Sequence, residues 1–128
     1  MKKDFDGWNE EKKNLNDHGH TPHYREREIR WCRLGTNVGF EQDGTGEDRA
    51  RPVLIVKGFS RLTCLIIPLT TSKTLNRYRL PIGTVGGRPS SAIISQLRLV
   101  DTKRLDQKIT ELDSVVFEGI RKAVKDML

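Results

Sequence analysis

The amino-acid sequence predicts a mainly β fold, in which a small curled antiparallel barrel or sandwich is closed by a C-terminal helix. Two observations support this. Short runs rich in β-branched residues alternate with glycine-rich and polar turns through the middle of the chain. After Asp113 the apolar residues recur instead at spacings of three and four, which is typical of a helix. A chain of 128 residues suits a single domain with a modest core.

The strand signals begin after a polar N-terminal region. Ile29 and Trp31 alternate with Arg30 and Cys32, which predicts a first strand, and residues 35–48 form a long glycine-rich loop. Residues 53–56 and 62–69 are the most apolar runs and are separated by a turn, so we expect an antiparallel pair. Further strand signals lie at residues 77–80, 92–100 and 108–110, whereas residues 83–89 are expected to form a loop.

The C-terminal helix is predicted to begin after Asp113, whose carboxylate can accept hydrogen bonds from free N–H groups of the first turn. Gly119 costs such a helix about 1 kcal/mol relative to alanine, so we expect close packing there. The apolar face of this helix is expected to consist of Val116, Ile120, Ala123, Val124 and Met127.

Residues 1–27 are interpreted as a polar N-terminal extension of a domain that spans residues 28–128. Phe5, Trp8 and Leu15 define one narrow apolar stripe, which predicts a short helix over residues 3–16. The histidines at 18, 20 and 23 lack the spacing of a zinc site and are expected in a solvated loop. The sequence therefore predicts neither a metal nor a cofactor.

The charge distribution indicates a polyanionic partner. The net charge is +6, but residues 49–104 contain eleven basic residues and one acid, which gives +10 for this window and leaves −4 for the rest. A basic middle between acidic ends favours nucleic acid as the partner, although arginines spread over several solvated faces would give the same count.

A cytoplasmic location is expected. No signal peptide is evident, and the apolar run at residues 62–69 is too short to cross a bilayer. Cys32 and Cys64 lie in partly apolar strings without metal-site spacing, and they are expected to be buried, reduced thiols.

Several polar residues stand at the expected ends of the core strands. Each has an ordinary structural explanation when taken alone, but antiparallel pairing could bring several of these ends together. The candidates are Glu41, Gln42, Arg51, Thr70, Thr71, Ser72, Gln96 and Arg98.

Four strings resemble the PemK/MazF toxin family, and they occur in the same order. They are NVGFEQDG at residues 37–44, RPVLIV at 51–56, IPLTTSK at 67–73 and SAIISQLRLVD at 91–101. A Lys-Ile pair at residues 108–109 also matches. Two departures are visible: Arg27-Glu28 stand where many members have Gly-Asp before the first strand, and residues 45–50 form a longer insert.

The resemblance implies an SH3-like barrel that forms a homodimer. It implies a toxin that cuts single-stranded RNA selectively without a metal, and an antitoxin partner whose disordered segment covers the RNA groove and whose complex with the toxin binds DNA. By motif, Arg51 and Thr70 are the implied catalytic residues. Further RNA contacts are assigned to Glu41, Gln42, Thr71, Lys73, Gln96 and Arg98.

The implied cleavage reaction requires only a few catalytic groups. A ribose 2′-OH can attack the adjacent phosphorus if a proton acceptor, a proton donor and positive charge are in place. Arg51 suits charge stabilisation and Thr70 suits a hydrogen bond to phosphate or the 2′-OH. Glu41 could take the proton, but a structural role in its loop fits equally well. Two other functions remain open: binding nucleic acid without cleavage, and poisoning a topoisomerase through protein contacts.

Overall fold

The computed structural model describes residues 23–34 and 50–128. The helix predicted at residues 3–16 and the glycine-rich loop predicted at residues 35–48 lie outside these ranges. The described elements are β1 (Glu28–Arg33), β2 (Ala50–Gly58), β3 (Thr63–Thr70), β4 (Arg79–Val85), β5 (Arg88–Ile93), β6 (Arg98–Asp101), β7 (Leu105–Glu111) and the helix α1 (Ser114–Met127). The prediction of a mainly β fold with a C-terminal helix is confirmed.

The strands form one curled antiparallel sheet in the order β4-β5-β3-β2-β1-β7. β3 is its branching point, because residues 63–66 pair with β6 whereas Leu69 and Thr70 pair with β5. The predicted pairing of the two most apolar runs is confirmed by the register of Val53 opposite Pro68 and Leu54 opposite Ile67. This pairing brings the beginning of β2 and the end of β3 to the same edge.

The prediction of a loop at residues 83–89 is wrong. These residues form the end of β4, a two-residue turn and the beginning of β5, with Val85 opposite Arg88. Gly86 and Gly87 occupy the turn with φ of 59° and 84°, values that glycine adopts without steric cost. The Gly86-Gly87 pair in the sequence therefore indicates a β-hairpin rather than a loop.

The core consists of two clusters. Ile29, Leu54 and Ile67 pack with Phe117 and Ile120 of α1, and the second cluster contains Cys32, Val53, Ile55, Cys64 and Ile66. Adjacent residues of β2 thus contribute to different clusters, since successive side chains of a strand point to opposite faces. Phe117 is a buried anchor of the helix that the sequence interpretation had left out.

Arg27 precedes β1 with φ of 81°, and it is the one non-glycine residue of the described ranges with positive φ. Glycine is the residue that adopts this backbone conformation without steric cost, so an arginine here needs support from its neighbours. Arg27 is held there by hydrogen bonds from its backbone N–H to the Ile55 carbonyl (2.9 Å) and from its Nε to the Leu112 carbonyl (3.0 Å).

The helix cap is confirmed, whereas close packing at Gly119 is not. Asp113 Oδ2 accepts hydrogen bonds from the N–H groups of Val115 (3.0 Å) and Val116 (3.2 Å). Gly119 is exposed, and a Cβ added there would have no atom within 4 Å. Gly119 therefore lowers helix stability without a packing reason in this chain.

Replacing Gly119 with alanine is expected to raise the free energy of unfolding by about 1 kcal/mol, because alanine loses less backbone entropy and meets no obstacle. Urea denaturation followed by circular dichroism measures this change. Gly58→Ala is the matched control and should lower the free energy of unfolding, because its Cβ would lie 2.6 Å from the hydroxyl oxygen of the buried Tyr24. A loss of stability in Gly119→Ala would contradict the exposed position of this glycine.

Both cysteines are free and buried, as predicted. Burial raises the pKa of the Cys32 thiol to about 11 and that of the Cys64 thiol to about 12. Since only the thiolate is a strong nucleophile, we expect neither thiol to react with iodoacetamide in the folded protein at about pH 8. Mass spectrometry should show two modifications only after denaturation, and labelling of the native chain would contradict the burial.

Candidate active site

A cavity of about 310 Å³ opens where several strand ends meet. Its walls come from the beginning of β2, the end of β3 and the β4–β5 hairpin, with single contributions from β1 and β7. Its lining residues are Trp31, Ala50, Arg51, Pro52, Leu69, Thr70, Thr71, Val85, Gly86, Arg88, Ser90 and Ile109.

Arg51 lies near the beginning of β2, opposite Cys32 of β1, and only 8% of it is exposed. Its Nη2 donates a hydrogen bond to the backbone carbonyl of Leu69, at 3.0 Å. This bond ties the guanidinium to the end of β3, one residue before Thr70. A guanidinium has five N–H donors in a rigid plane, so one bond of this kind also fixes the direction of the others.

Thr70 ends β3 and pairs with Ser91 of β5. Its Oγ1 accepts a hydrogen bond from the N–H of Ser72, at 3.0 Å. Ser72 is itself held, because its Oγ accepts from Arg79 Nη1 at 3.1 Å. A hydroxyl that accepts from the backbone keeps its own proton to donate. Thr70 is therefore suited to donate a hydrogen bond to an oxygen in the cavity.

The structure brings three of the predicted site residues to one cavity: Arg51, Thr70 and Thr71. The other described candidates are not among its lining residues. Lys73 is exposed in the segment that follows β3, and Gln96 is half-buried in the 3-10 turn at Ile94–Gln96. Arg98 begins β6 opposite Ile66, four residues before Thr70 along β3. Glu41 and Gln42 lie outside the described ranges.

The sequence interpretation missed three polar or aromatic lining residues: Trp31, Arg88 and Ser90. Arg88 had a usable signal, because it directly follows the Gly-Gly turn that places it at the hairpin tip. Trp31 had none, since a tryptophan in an alternating strand is usually expected in the core.

The cavity is cationic as far as the described residues define it. Two of the eleven basic residues in the central window, Arg51 and Arg88, line it, and no described carboxylate or imidazole does. Within the described ranges, no group of three or more His, Cys, Asp or Glu residues could hold a metal ion. A guanidinium and hydroxyls around an open cavity suit a phosphate group as the bound species.

Comparison with protein families adds a decisive observation. Residues 25–128 match the family described as PemK-like, MazF-like toxins of type II toxin–antitoxin systems. The chain belongs to this family. It is therefore a toxin of a type II toxin–antitoxin system, and the family resemblance expected from the four strings is confirmed.

The fold of the toxin agrees with solved structures of MazF proteins. MazF from Deinococcus radiodurans superimposes with a TM-score of 0.64 at 15% identity, over 81% of this chain and 94% of that one. The Mycobacterium tuberculosis toxin MazF-mt6 gives 0.60 at 18% identity, over 78% and 94%. No curated protein sequence gives a significant match. At such identities the likeness shows the fold.

A third structure is an endoribonuclease in complex with its cognate antitoxin from a mycobacterial species. The superposition covers 81% of the present chain and 93% of the matched chain, with a TM-score of 0.60 at 15% identity. In the described part of the toxin, no helix is both long and apolar enough to span a membrane.

Proposed function

We propose that the toxin is an endoribonuclease that cuts single-stranded RNA without a metal, by attack of a ribose 2′-OH on the adjacent phosphorus. The observation that supports this most directly is the convergence of Arg51 and Thr70 on one cationic cavity. Family membership supports it as well, since some of the solved proteins with the same fold are endoribonucleases. The products would be a 2′,3′-cyclic phosphate and a 5′-hydroxyl end.

In this mechanism Arg51 stabilises the charge that develops on the non-bridging oxygens of the transition state. The buried guanidinium is fixed by the Leu69 carbonyl, so it does not need to reorganise during the reaction. Burial also excludes water, which strengthens the interaction with an anionic phosphorus centre. A rigid, planar guanidinium with several N–H donors suits electrostatic stabilisation of the transition state, so we assign this role to Arg51.

Thr70 orients the reacting group. Its Oγ1 is held by the Ser72 N–H, and its hydroxyl proton can be donated to a phosphoryl oxygen. Thr71, also in the lining, offers a further hydroxyl on the same wall.

Proton removal from the 2′-OH requires an acceptor, and the described lining residues include no carboxylate or imidazole. Glu41 is the candidate acceptor from the sequence. If it acts as general base, Glu41→Gln lowers the cleavage rate by about 10²- to 10⁴-fold. An unchanged rate would show that Glu41 has a structural role in its loop and that solvent accepts the proton of the 2′-OH.

The proposal is tested by incubating the purified toxin with single-stranded RNA in the presence of EDTA. We expect fragments whose 5′ ends accept phosphate from a polynucleotide kinase without prior phosphatase treatment, because they carry 5′-hydroxyls. Stable binding of RNA without fragments would favour a non-catalytic binding module. Toxicity relieved by a topoisomerase mutation, again without fragments, would favour the topoisomerase-poisoning alternative.

Replacing Thr70 with valine, which has nearly the same shape, removes the hydroxyl alone. We expect the single-turnover cleavage rate to fall by about 10²-fold, since one donor to the transition state is lost. Thr63→Val is the matched control, because Thr63 begins the same strand far from the cavity. Equal rates for the wild type and Thr70→Val would exclude a catalytic hydroxyl at this position.

We further propose that the toxin acts in the cytoplasm and that residues 1–27 extend a catalytic domain formed by residues 28–128.

A cognate antitoxin is the proposed protein partner of the toxin. The mycobacterial endoribonuclease of the same fold forms a complex with its cognate antitoxin, and the cavity is a suitable surface for an acidic inhibitor segment. Competition is the test, because an antitoxin that covers the cavity should slow cleavage as its concentration approaches that of the toxin.

A homodimer is also proposed. Ile93 and Ile94 are unsuitable for its interface, because they are only 5% and 2% exposed within the single chain. Leu62 and Leu99, both about half exposed, are better candidates. Light scattering should give twice the chain mass of 14.7 kDa, and a mass of 14.7 kDa at micromolar concentration would contradict a dimer.

A further inference from the structure

Trp31 and Arg88 line the cavity but have no part in the proposed cleavage chemistry. They come from different elements, since Trp31 lies on β1 and Arg88 begins β5. Both side chains are exposed to solvent although they line a concave surface. An aromatic side chain together with a cation in a cavity is a combination that single-stranded nucleic-acid sites use.

Trp31 is 41% exposed, whereas its chain neighbours Arg30 and Cys32 are buried. It stands opposite Pro52, so it is adjacent in the sheet to the residue that follows Arg51. Val85 and Ile109 add further apolar surface to the same cavity. Neither core cluster includes Trp31. A large indole left open beside apolar neighbours is a suitable platform for the flat face of a nucleobase.

Arg88 supplies a second positive charge on another wall of the cavity. It pairs with Val85 across the two-residue turn at Gly86 and Gly87, so the backbone that carries it is fixed by the hairpin. An exposed guanidinium in this position can bind a phosphate through two parallel N–H groups. Arg51 is the buried cation of the cavity and Arg88 the exposed one.

The size of the cavity limits what can occupy it. A volume of about 310 Å³ is near the lower end of the range for small-ligand sites, about 300–1,000 Å³. This suits a single nucleotide unit better than a longer segment. A base that is paired and stacked in a duplex does not offer its face, whereas an unpaired base does.

We propose that Trp31 stacks on the nucleobase next to the scissile phosphate, while Arg88 binds the adjacent phosphate of the same single strand. The assignment of Arg51 to the scissile phosphate rests on the proposed function. Trp31 and Arg88 are binding and positioning residues in this account. They select an unpaired strand and set its register relative to Arg51 and Thr70.

The test uses an oligonucleotide that cannot be cut, so that binding is measured separately from cleavage. The probe is a random-sequence pool of single-stranded 12-mers with 2′-O-methyl riboses, labelled with fluorescein for anisotropy. The chain has two tryptophans, so in a Trp8→Phe variant the intrinsic emission comes from Trp31 alone. An unlabelled portion of the same pool is used for that emission measurement.

We expect the emission of Trp31 to be quenched when the pool binds. Trp31→Leu should weaken binding by about 5- to 150-fold, the range that one base–aromatic stack provides, whereas Trp31→Phe should stay within about 3-fold of the wild type. Phe59→Leu is the matched control, because Phe59 is an exposed aromatic residue in the β2–β3 turn. Unquenched emission, or equal binding by Trp31→Leu and the wild type, would overturn the stacking role.

Arg88→Gln should reduce the slope of log Kd against log salt concentration by about 1, as expected when one phosphate contact is lost. Arg25→Gln makes the same change of charge at an exposed residue outside the cavity and should leave the slope unchanged. An unchanged slope in Arg88→Gln would overturn the phosphate contact. The two proposals can fail separately. If Trp31 is quenched and Arg88→Gln has the reduced slope, but the wild type never cuts RNA, the cleavage proposal is contradicted and the binding roles of Trp31 and Arg88 are supported.

Discussion

Arg51→Lys is expected to lower the single-turnover rate of RNA cleavage by at least about 10²- to 10³-fold, although the positive charge is kept. Lysine has no planar fork, so it cannot hold the Leu69 carbonyl and present parallel N–H groups to a phosphate at the same time. The rate is measured with enzyme in excess over an end-labelled RNA, at a single pH near neutrality.

Two controls make the result for Arg51 specific. Arg25→Lys makes the same exchange at an exposed position outside the cavity and should cut at the wild-type rate. Thermal unfolding of Arg51→Lys followed by circular dichroism reports whether the sheet is intact. A folded Arg51→Lys variant that cuts RNA as fast as the wild type would remove Arg51 from the proposed mechanism.

Glu28→Ala is expected to destabilise the fold by about 3–5 kcal/mol, the largest stability effect that we predict. Glu28 and Arg30 are 6% and 8% exposed, and Arg30 Nη1 lies 2.8 Å from Glu28 Oε1. Removing the carboxylate leaves a buried guanidinium without its counter-charge. Arg30 Nε also donates to the Asp106 carbonyl, so the pair joins β1 to β7. Urea denaturation gives the change in the free energy of unfolding.

An exposed ion pair on the same two strands provides the comparison for Glu28. Arg33 and Asp106 are paired at 3.1 Å, but their side chains are 48% and 41% exposed. Asp106→Asn should therefore cost less than about 1 kcal/mol, because solvent screens this pair. Replacing Glu28 and Arg30 together with leucine and methionine should cost less than Glu28→Ala alone. A Glu28→Ala cost as small as that of Asp106→Asn would show that the buried pair does not support the fold.

The sequence allowed the strands to be predicted where burial imposes a clear pattern. β2 and β3 are apolar runs between turn formers, and α1 has helical spacing and a capping aspartate. The end of β4 and the beginning of β5 were missed, because this hairpin is largely exposed and its polar residues resemble a loop. For exposed strands the turn chemistry at Gly86 and Gly87 is a better guide than hydropathy.

The site was predictable only in part, because its residues come together through pairing between distant segments. Arg51 and Thr70 could be expected at one edge once β2 and β3 were taken as an antiparallel pair. The contributions of Trp31 and Arg88 depend on how β1 and the β4–β5 hairpin curl around that edge, which no local pattern encodes. Gln96 and Arg98 were predicted site residues because they belong to one of the four family-like strings. The pairing of the strands nevertheless leaves them outside the lining of the cavity.

The most direct test of the proposed mechanism is a single 2′-deoxy substitution in the RNA. Once the cut site is mapped on one RNA, the same oligonucleotide is made with deoxyribose only at the nucleotide 5′ to the scissile phosphate. In EDTA we expect this substrate to remain uncut while the unmodified RNA is fragmented, because the attacking oxygen is missing. Cleavage of both substrates at the same position would contradict attack by the neighbouring 2′-OH and with it the roles given to Arg51 and Thr70.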